Sequence, residues 1–456
     1  MLEIDRHTKS LSQTLVAQLM RIRLQGLSSE TAHQAKRCLL DYLGATFAGT
    51  AILHDQAIKL LATDAVIEGG VSAVGFNSRT CLQTATFVNG LASHVAEMDD
   101  GVRHGMIHPG SPIISALLPA AEKYGVEGDD FLMGIVIGYE AAVRIAAAVQ
   151  PSHYQRGYHP TATCGTIGAA MGVAAMLQFD EATTENALAA ASVAASGSLK
   201  VIGEGSDLKP YNSAQAALSG LMAALSAGAG LSGPADALSG PAGFLQMCAD
   251  DYDVAKITEL NPRGLWIQQS YIKPYAACRH AHPAIEASLE LRKDPALQPE
   301  KVDEIRITTY GGLAGRHDCR FVKTVAEAKM SIPMATAIAF VTGRAGIEAF
   351  CPTNISNPRV SALSAKVSLV EDSSLTSQVP EKREARVQCR THSGELRQAT
   401  VIYPKGEPEN PMSDEELIQK FADLAAYGGI EPERAQRIRA AVFNLPDGLA
   451  ALITEL

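Results

Sequence analysis

The chain has 456 residues, 46% of them hydrophobic and 19% charged, with a net charge of −10. That length allows a large core and two or three domains, and the composition excludes intrinsic disorder. The acidic balance argues against nucleic acid or an anionic membrane as partner, so an anionic small molecule would need a local cationic pocket.

The opening Met1-Leu2-Glu3-Ile4-Asp5-Arg6 has acidic groups and no apolar run, which predicts a cytoplasmic protein without a secretory signal. Helical periodicity then predominates to about residue 260. Residues 10–24 are amphipathic, and 30–48 and 82–98 follow, the last ended by Gly101. Helices are also predicted over 112–124, 129–149, 162–177, 181–198 and 214–229. The Ala, Gly and Ser faces of the last three allow close backbone approach and predict a buried central bundle. The longest uncharged stretches, around 161–179 and 211–235, are too weakly apolar to be membrane spans.

Beyond Trp266 the texture changes. Residues 302–310 alternate as a strand, and 366–370, 385–390 and 398–403 are further strands. Ser393-Gly394 joins the last two as a hairpin. Residues 283–292 and 325–342 read as helices. Pro404-Lys405-Gly406-Glu407-Pro408 closes this unit; Ser413-Asp414-Glu415-Glu416 is a capping box for a final helix, with another over 432–443. The expected fold is mainly α. A large all-helical domain comes from both chain ends (1–265 and 408–456), with a smaller α+β unit (266–407) inserted in it. The eight cysteines show no C-x-x-C and no close pairs, which suits reduced thiols and suggests neither zinc nor an iron–sulfur cluster.

Three histidines stand directly before proline, at His108-Pro109, His159-Pro160 and His282-Pro283, as do two lysines, at Lys209-Pro210 and Lys273-Pro274. With 12 His and 22 Pro in the chain, chance predicts roughly half of one His-Pro pair. A residue before proline is pushed into an extended conformation, and each His-Pro precedes a helix-like run. The imidazoles are therefore expected in stiff residues at helix N-termini, where backbone N–H groups favour anions. With two lysines held in the same way, the set predicts a site for a small polyanion.

The densest polar segment runs from Glu97 through Asp99, Asp100, Arg103 and His104 to His108, with Gly101, Gly105 and Gly110 permitting close approach to a ligand. It suits an acid–base and substrate-binding loop, or else a capped interhelical loop whose charges are solvated. Metal binding by His104, His108 and an aspartate is a third reading, opposed by Gly105 and Pro109, which interrupt the helix that spacing needs. Tyr158-His159-Pro160-Thr161 repeats the His108 context, with Thr161 the expected N-cap. Gly203-Glu204-Gly205-Ser206-Asp207-Leu208-Lys209-Pro210 lacks the Walker spacing, while its lysine can neutralise a carboxylate or move protons. Tyr271 to Pro283 is the richest cationic run and contains Lys273, Tyr275, Arg279, His280 and His282; a solvated linker is the alternative. Cys278 with His280 could form a nucleophile pair, and His280 with His282 a metal pair, but neighbours this close seldom meet productively.

These residues make the chain resemble the MmgE/PrpD family, which includes 2-methylcitrate dehydratase, cis-aconitate decarboxylase and iminodisuccinate epimerase. The resemblance spans nearly the whole chain. It is carried by Asp99-Asp100 with His108-Pro109, Arg156-Gly157-Tyr158-His159-Pro160-Thr161, Lys209-Pro210, Lys273-Pro274-Tyr275, Ala328-Lys329-Met330-Ser331-Ile332 and Pro404-Lys405-Gly406. It implies a helical domain with an α+β lid, a homodimer, and catalytic positions at His108, His159, Lys209 and Lys273. Glu97, Asp99, Asp100, His104, Tyr275 and Arg279 are the candidate substrate-binding residues. The chain departs from the pattern at Glu97, where the family often has aspartate, and at Gly101, where it has threonine. The loop to His108 is one residue longer, and the tyrosine that some members supply from the lid falls near Arg316 or His317.

The implied chemistry needs neither metal nor organic cofactor. A carboxylate substrate loses a proton or CO₂ beside its acid group; Lys209 and Lys273 stabilise the enolate-like charge, and His108 and His159 act as base and acid. The expected function is a cofactor-independent lyase, a dehydratase or decarboxylase, for a small di- or tricarboxylate such as 2-methylcitrate or cis-aconitate. An epimerase of the iminodisuccinate type would use the same residues, and a non-catalytic carboxylate-binding protein is the alternative of another class. His282 is expected to support or cap a helix.

Overall fold

A computed structural model describes residues 9–64, 69–76, 78–202 and 206–456. The N-terminal hexapeptide and Gly203, Glu204 and Gly205 lie outside the described residues.

Several helices begin where the sequence supplies a side-chain cap. Ser10 opens Leu11–Gln25 through a capping box with Gln13, and Ser413 opens Asp414–Tyr427 through one with Glu416. At the centre lie two buried helices, Gly128–Val149 and Pro160–Met176, in backbone contact. A Cβ on Gly172 would stand 2.8 Å from the Gly134 carbonyl oxygen, and one on Gly168 2.8 Å from that of Gly138. On the far side Gly220 of helix Lys209–Gly228 approaches the Thr166 carbonyl as closely. Small residues on all faces of Pro160–Met176 thus let it sit between two partners.

Replacing Gly172 by valine is expected to lower stability by at least about 2 kcal/mol, because the Gly134 backbone cannot give way. A urea midpoint equal to that of the parent chain would disprove this close approach. Gly128–Val149 is also long and apolar enough to cross a membrane, but 94% of its most apolar window is buried inside the protein. Its Glu140 and Arg144 neutralise each other at 2.7 Å.

Beyond Trp266 four strands form one sheet in the order Val367–Glu371, Val302–Thr309, Ala385–Thr391, Leu396–Val401. The first pair is parallel and the others antiparallel. Gly394, at φ 85°, turns the expected hairpin, and its second strand starts two residues earlier than periodicity suggested. Helices His282–Leu291 and Ile332–Thr342 pack against the sheet.

Several expectations need correction. The helix predicted over 325–342 is two, Val325–Met330 and Ile332–Thr342. Ser331 leaves the helical region at ψ 118° and caps Met334, with Pro333 in the new first turn. The helix expected from 214 begins at Lys209, and the one expected to reach 198 stops at Ala194. Pre-proline extension holds at His159 (φ −98°, ψ 109°) but fails at His282 (φ −57°, ψ −45°) and at Lys209, which starts its helix. The first helical turn favours proline at its second residue strongly enough to override the preference. Thr161 is not the N-cap; His159 holds that position, and Thr161 Oγ1 instead accepts the His108 backbone N–H at 3.1 Å.

The protein is mainly α-helical with small sheets. One hydrophobic core draws on residues 15–272 and 412–456, and a second on residues 276–389 with Ala45, Ala48, Ala96, Met98 and Leu424. The chain passes from the first core to the second between Ile272 and Ala276.

Candidate active site

Helix Leu82–Val95 ends at a turn in which Glu97 adopts φ 57°, a left-handed conformation that is uncommon outside glycine. This turn brings Glu97 and Asp99 against groups from three other elements. Lys209, from the first turn of its helix, pairs with Glu97 Oε1. Lys273 Nζ, 0% exposed, lies 3.2 Å from Glu97 Oε2 and 3.3 Å from Asp99 Oδ1. Asp99 Oδ2 accepts a hydrogen bond from His94 Nδ1 at 2.6 Å and lies 3.5 Å from His108 Nδ1. The His94 ring is 5.1 Å from that of His108 and 6.3 Å from that of His159. Six of the predicted residues (His108, His159, Lys209 and Lys273, with Glu97 and Asp99) thus share one cluster with an unforeseen His94.

Burial alone would raise both carboxyls. The ammonium groups of Lys209 and Lys273 for Glu97, and the adjoining His94 ring with Lys273 for Asp99, outweigh it and hold both well below the usual carboxylate range. Burial, reinforced by Lys273, pushes His108 down to about 3, and burial with His94 and Lys209 nearby pushes His159 well down. Both imidazoles are therefore neutral near pH 7. The carboxylates lift Lys273 above the ordinary lysine range against its burial. Lys329, whose Nζ donates to the Ala96 carbonyl at 2.9 Å, is lowered to about 8 by burial and by Lys273 and Lys209.

The other predicted residues lie elsewhere. Asp100 points beneath the loop, accepting from Tyr139 Oη at 2.8 Å and from the Gly110 N–H at 3.1 Å. Burial and the nearby Asp41 raise its pKa to about 8. From about pH 4 to 8 the folded chain therefore binds a proton that the unfolded chain has released, and stability from this group falls as pH rises. Asp100→Asn, which mimics the neutral form, should gain on the parent chain across that window by at most about 1.4 kcal/mol per pH unit. Thermal unfolding from pH 4 to 9 checks this; a difference that does not vary with pH would refute the neutral carboxyl.

His104 bonds Glu381 at 3.1 Å and packs on Trp266. Arg279 and Arg103 share the buried Glu407, with Arg103 at 2.6 Å, and tie the His108 loop to the 404–410 turn. Tyr275 Oη bonds Glu286 at 3.3 Å. His282 Nε2 bonds the Ala277 carbonyl at 3.0 Å, a supporting role. His317 is buried, its Nδ1 donating to the Met330 carbonyl at 2.8 Å, while Arg316 lies 5.1 Å over the Tyr154 ring.

A cavity of about 760 Å³ opens between segments 154–210 and 315–331, with Glu97, Lys209, Lys329, Tyr154, Arg156 and Arg316 among its walls. Metal donors also converge: His94, Asp99 and His108 each offer an atom within 4.8 Å of the others, as do Cys278, His280 and His317. In the first group Asp99 already serves His94 and the Lys273 ammonium, so a protein cation takes the place a metal would fill.

His94, Lys329 and Asn212, whose Nδ2 lies 3.0 Å from His159 Nδ1, are the participants that sequence reading missed as individual residues. His94 sits three residues before Glu97, in the last turn of the helix that Glu97 follows, and Asn212 lies three after Lys209, one turn along the same helix.

Two comparisons bear on this cluster. The profile of the MmgE/PrpD N-terminal domain matches residues 13–256, and that of the C-terminal domain matches residues 275–445. The chain is 28% identical over 448 residues to a cis-aconitate decarboxylase-like protein, oryM, of Aspergillus oryzae, covering 92% of this chain and 91% of that one. It is 26% identical over 381 residues to the cis-aconitate decarboxylase of Homo sapiens, covering 79% and 76% respectively.

Proposed function

Because the chain belongs to the MmgE/PrpD family, a family of lyase type, we propose that it is a lyase for a small di- or tricarboxylate that works with side chains alone. The observation that carries this reading is the convergence of two neutral imidazoles, His108 and His159, with the ammonium groups of Lys209 and Lys273 in one buried cluster. Neutral imidazoles can accept or donate protons near pH 7, and fixed cations stabilise charge that develops on a carboxylate. The α+β unit of residues 266–407 acts as a lid over the cavity, contributing Arg316 and Lys329 to its walls.

In the free chain Glu97 occupies Lys209 and Lys273. A substrate carboxylate takes over Lys209 from Glu97, and its added negative charge draws a proton from water onto the bare Nε2 of His108. In a decarboxylation the bond to CO₂ breaks, and its electron pair spreads over the adjacent double bond and carboxylate. The proton that His108 took up on binding then passes from Nε2 to the carbanion, closing the new C–H bond and returning the ring to its neutral form. In a dehydration His108 takes the α-proton and returns it to the departing hydroxyl, which leaves as water. The names of the two relatives make decarboxylation of an unsaturated tricarboxylate the first reaction to assay.

The test is NMR of cis-aconitate, 2-methylcitrate, citrate and iminodisuccinate incubated with the protein in D₂O. Loss of CO₂ or water, with deuterium entering the product, is expected for one of them. Deuterium exchange without net product would replace the lyase by an epimerase. Tight binding without exchange would leave only a carboxylate-binding protein.

A further inference from the structure

His108 and His159 are both neutral, but the groups facing their Nδ1 atoms are of opposite kinds. His108 Nδ1 lies 2.7 Å from the Asp100 backbone carbonyl. A carbonyl only accepts, so Nδ1 carries the proton and Nε2 keeps the lone pair. His159 Nδ1 lies 3.0 Å from Asn212 Nδ2. The same amide nitrogen donates to the Ser198 carbonyl at 3.1 Å, which sets the orientation of the amide, since a flip would turn oxygen towards oxygen. Asn212 therefore donates to His159, so Nδ1 is bare and Nε2 bears the hydrogen. No hydrogen bond to a described residue engages Nε2 of either ring.

We infer that Asn212 is a positioning residue that locks His159 in its Nε2–H form, so that His159 is the hydrogen-bond donor to the reacting carboxylate and His108 the proton acceptor. The tautomer rests on geometry alone; the two roles rest on the proposed lyase reaction. Asn212 is only 6% exposed and lies one turn along the helix that Lys209 begins. That spacing places the ammonium and the amide that orients His159 on one helix face. The arrangement gives the site one neutral N–H donor and one lone pair without relying on an equilibrium between forms. Aspartate at 212 would be nearly isosteric, yet it could only accept and would demand a proton on His159 Nδ1.

Neutron diffraction from crystals of the full chain in D₂O, for the parent and for Asn212→Asp, is the test. The parent should show density for deuterium on His159 Nε2 and His108 Nδ1. In Asn212→Asp it should appear on His159 Nδ1. On the substrate identified by exchange, kcat of Asn212→Asp should fall by about 100-fold, with an altered pH profile and an intact fold. A deuteron on His159 Nδ1 in the parent overturns the inference, as does an unchanged pH profile in Asn212→Asp. If no carboxylate is turned over, the lyase reading fails while the proton map still decides the tautomer. If Asn212→Asp does not fold, the parent map decides it.

Discussion

Replacing Lys273 by methionine is expected to lower folding stability by about 3–5 kcal/mol and to remove turnover. Lys273 is 0% exposed and reaches both Glu97 and Asp99, which are 5% and 2% exposed. Removing one member of a buried ion cluster leaves uncompensated charge in a medium that solvates it poorly, a larger effect than the net worth of the intact cluster. The side-chain volume is nearly kept, so a cavity term is small. The sign with pH follows. Without Lys273 the two carboxyls are less strongly held below their ordinary range, and protonating them relieves the repulsion. The deficit against the parent chain should therefore shrink as pH falls from 7 to 5. Urea unfolding at both values measures it; a loss under about 1 kcal/mol at pH 7 would mean that Lys209 and the His94 hydrogen bond already satisfy the pair.

His108→Gln should behave in the opposite way, with a nearly unchanged fold and turnover reduced by about 10²–10⁴-fold. Glutamine can still donate to the Asp100 carbonyl that His108 Nδ1 engages at 2.7 Å, but it has no basic nitrogen to replace Nε2. Because burial lowers the His108 pKa to about 3, kcat/KM of the parent chain should stay level through pH 6.5, where an ordinary imidazole titrates. An acid limb centred there would show that His108 is solvated when the substrate arrives. Full turnover by His108→Gln would move the proton transfer to another ring, with His94, 5.1 Å away, the first candidate.

The helices with side-chain caps and strong periodicity were legible at the level of single residues. Ser413 opens its helix as its capping box requires, and Pro432–Phe443 matches the predicted bounds. Boundaries failed where two local rules compete. Before Pro210 and Pro283 the preference for extension yields to the first turn of a helix, whereas at His159 it prevails. Ser331 breaks a continuous apolar run because its hydroxyl caps the helix that follows.

The site divides along the same line. Residue type and local context picked out His108, His159, Lys209 and Lys273 together with His282, since histidine and lysine beside proline are rare and chemically useful, and the family resemblance set the four apart from His282. Asp100, Tyr275 and Arg279 looked equivalent to Asp99 in the chain but have other partners: Tyr139 and Gly110 for Asp100, Glu286 for Tyr275, Glu407 for Arg279. A one-residue step along an irregular loop reverses where a side chain points, and composition carries no record of that. Charge, helix content and the reactive residue types are properties of the chain itself, because they depend on identity and near neighbours. Protonation states and partners are properties of the packed molecule. His108 loses its proton only where burial and the Lys273 ammonium meet, and His159 acquires its orientation from an amide 53 residues away along the chain.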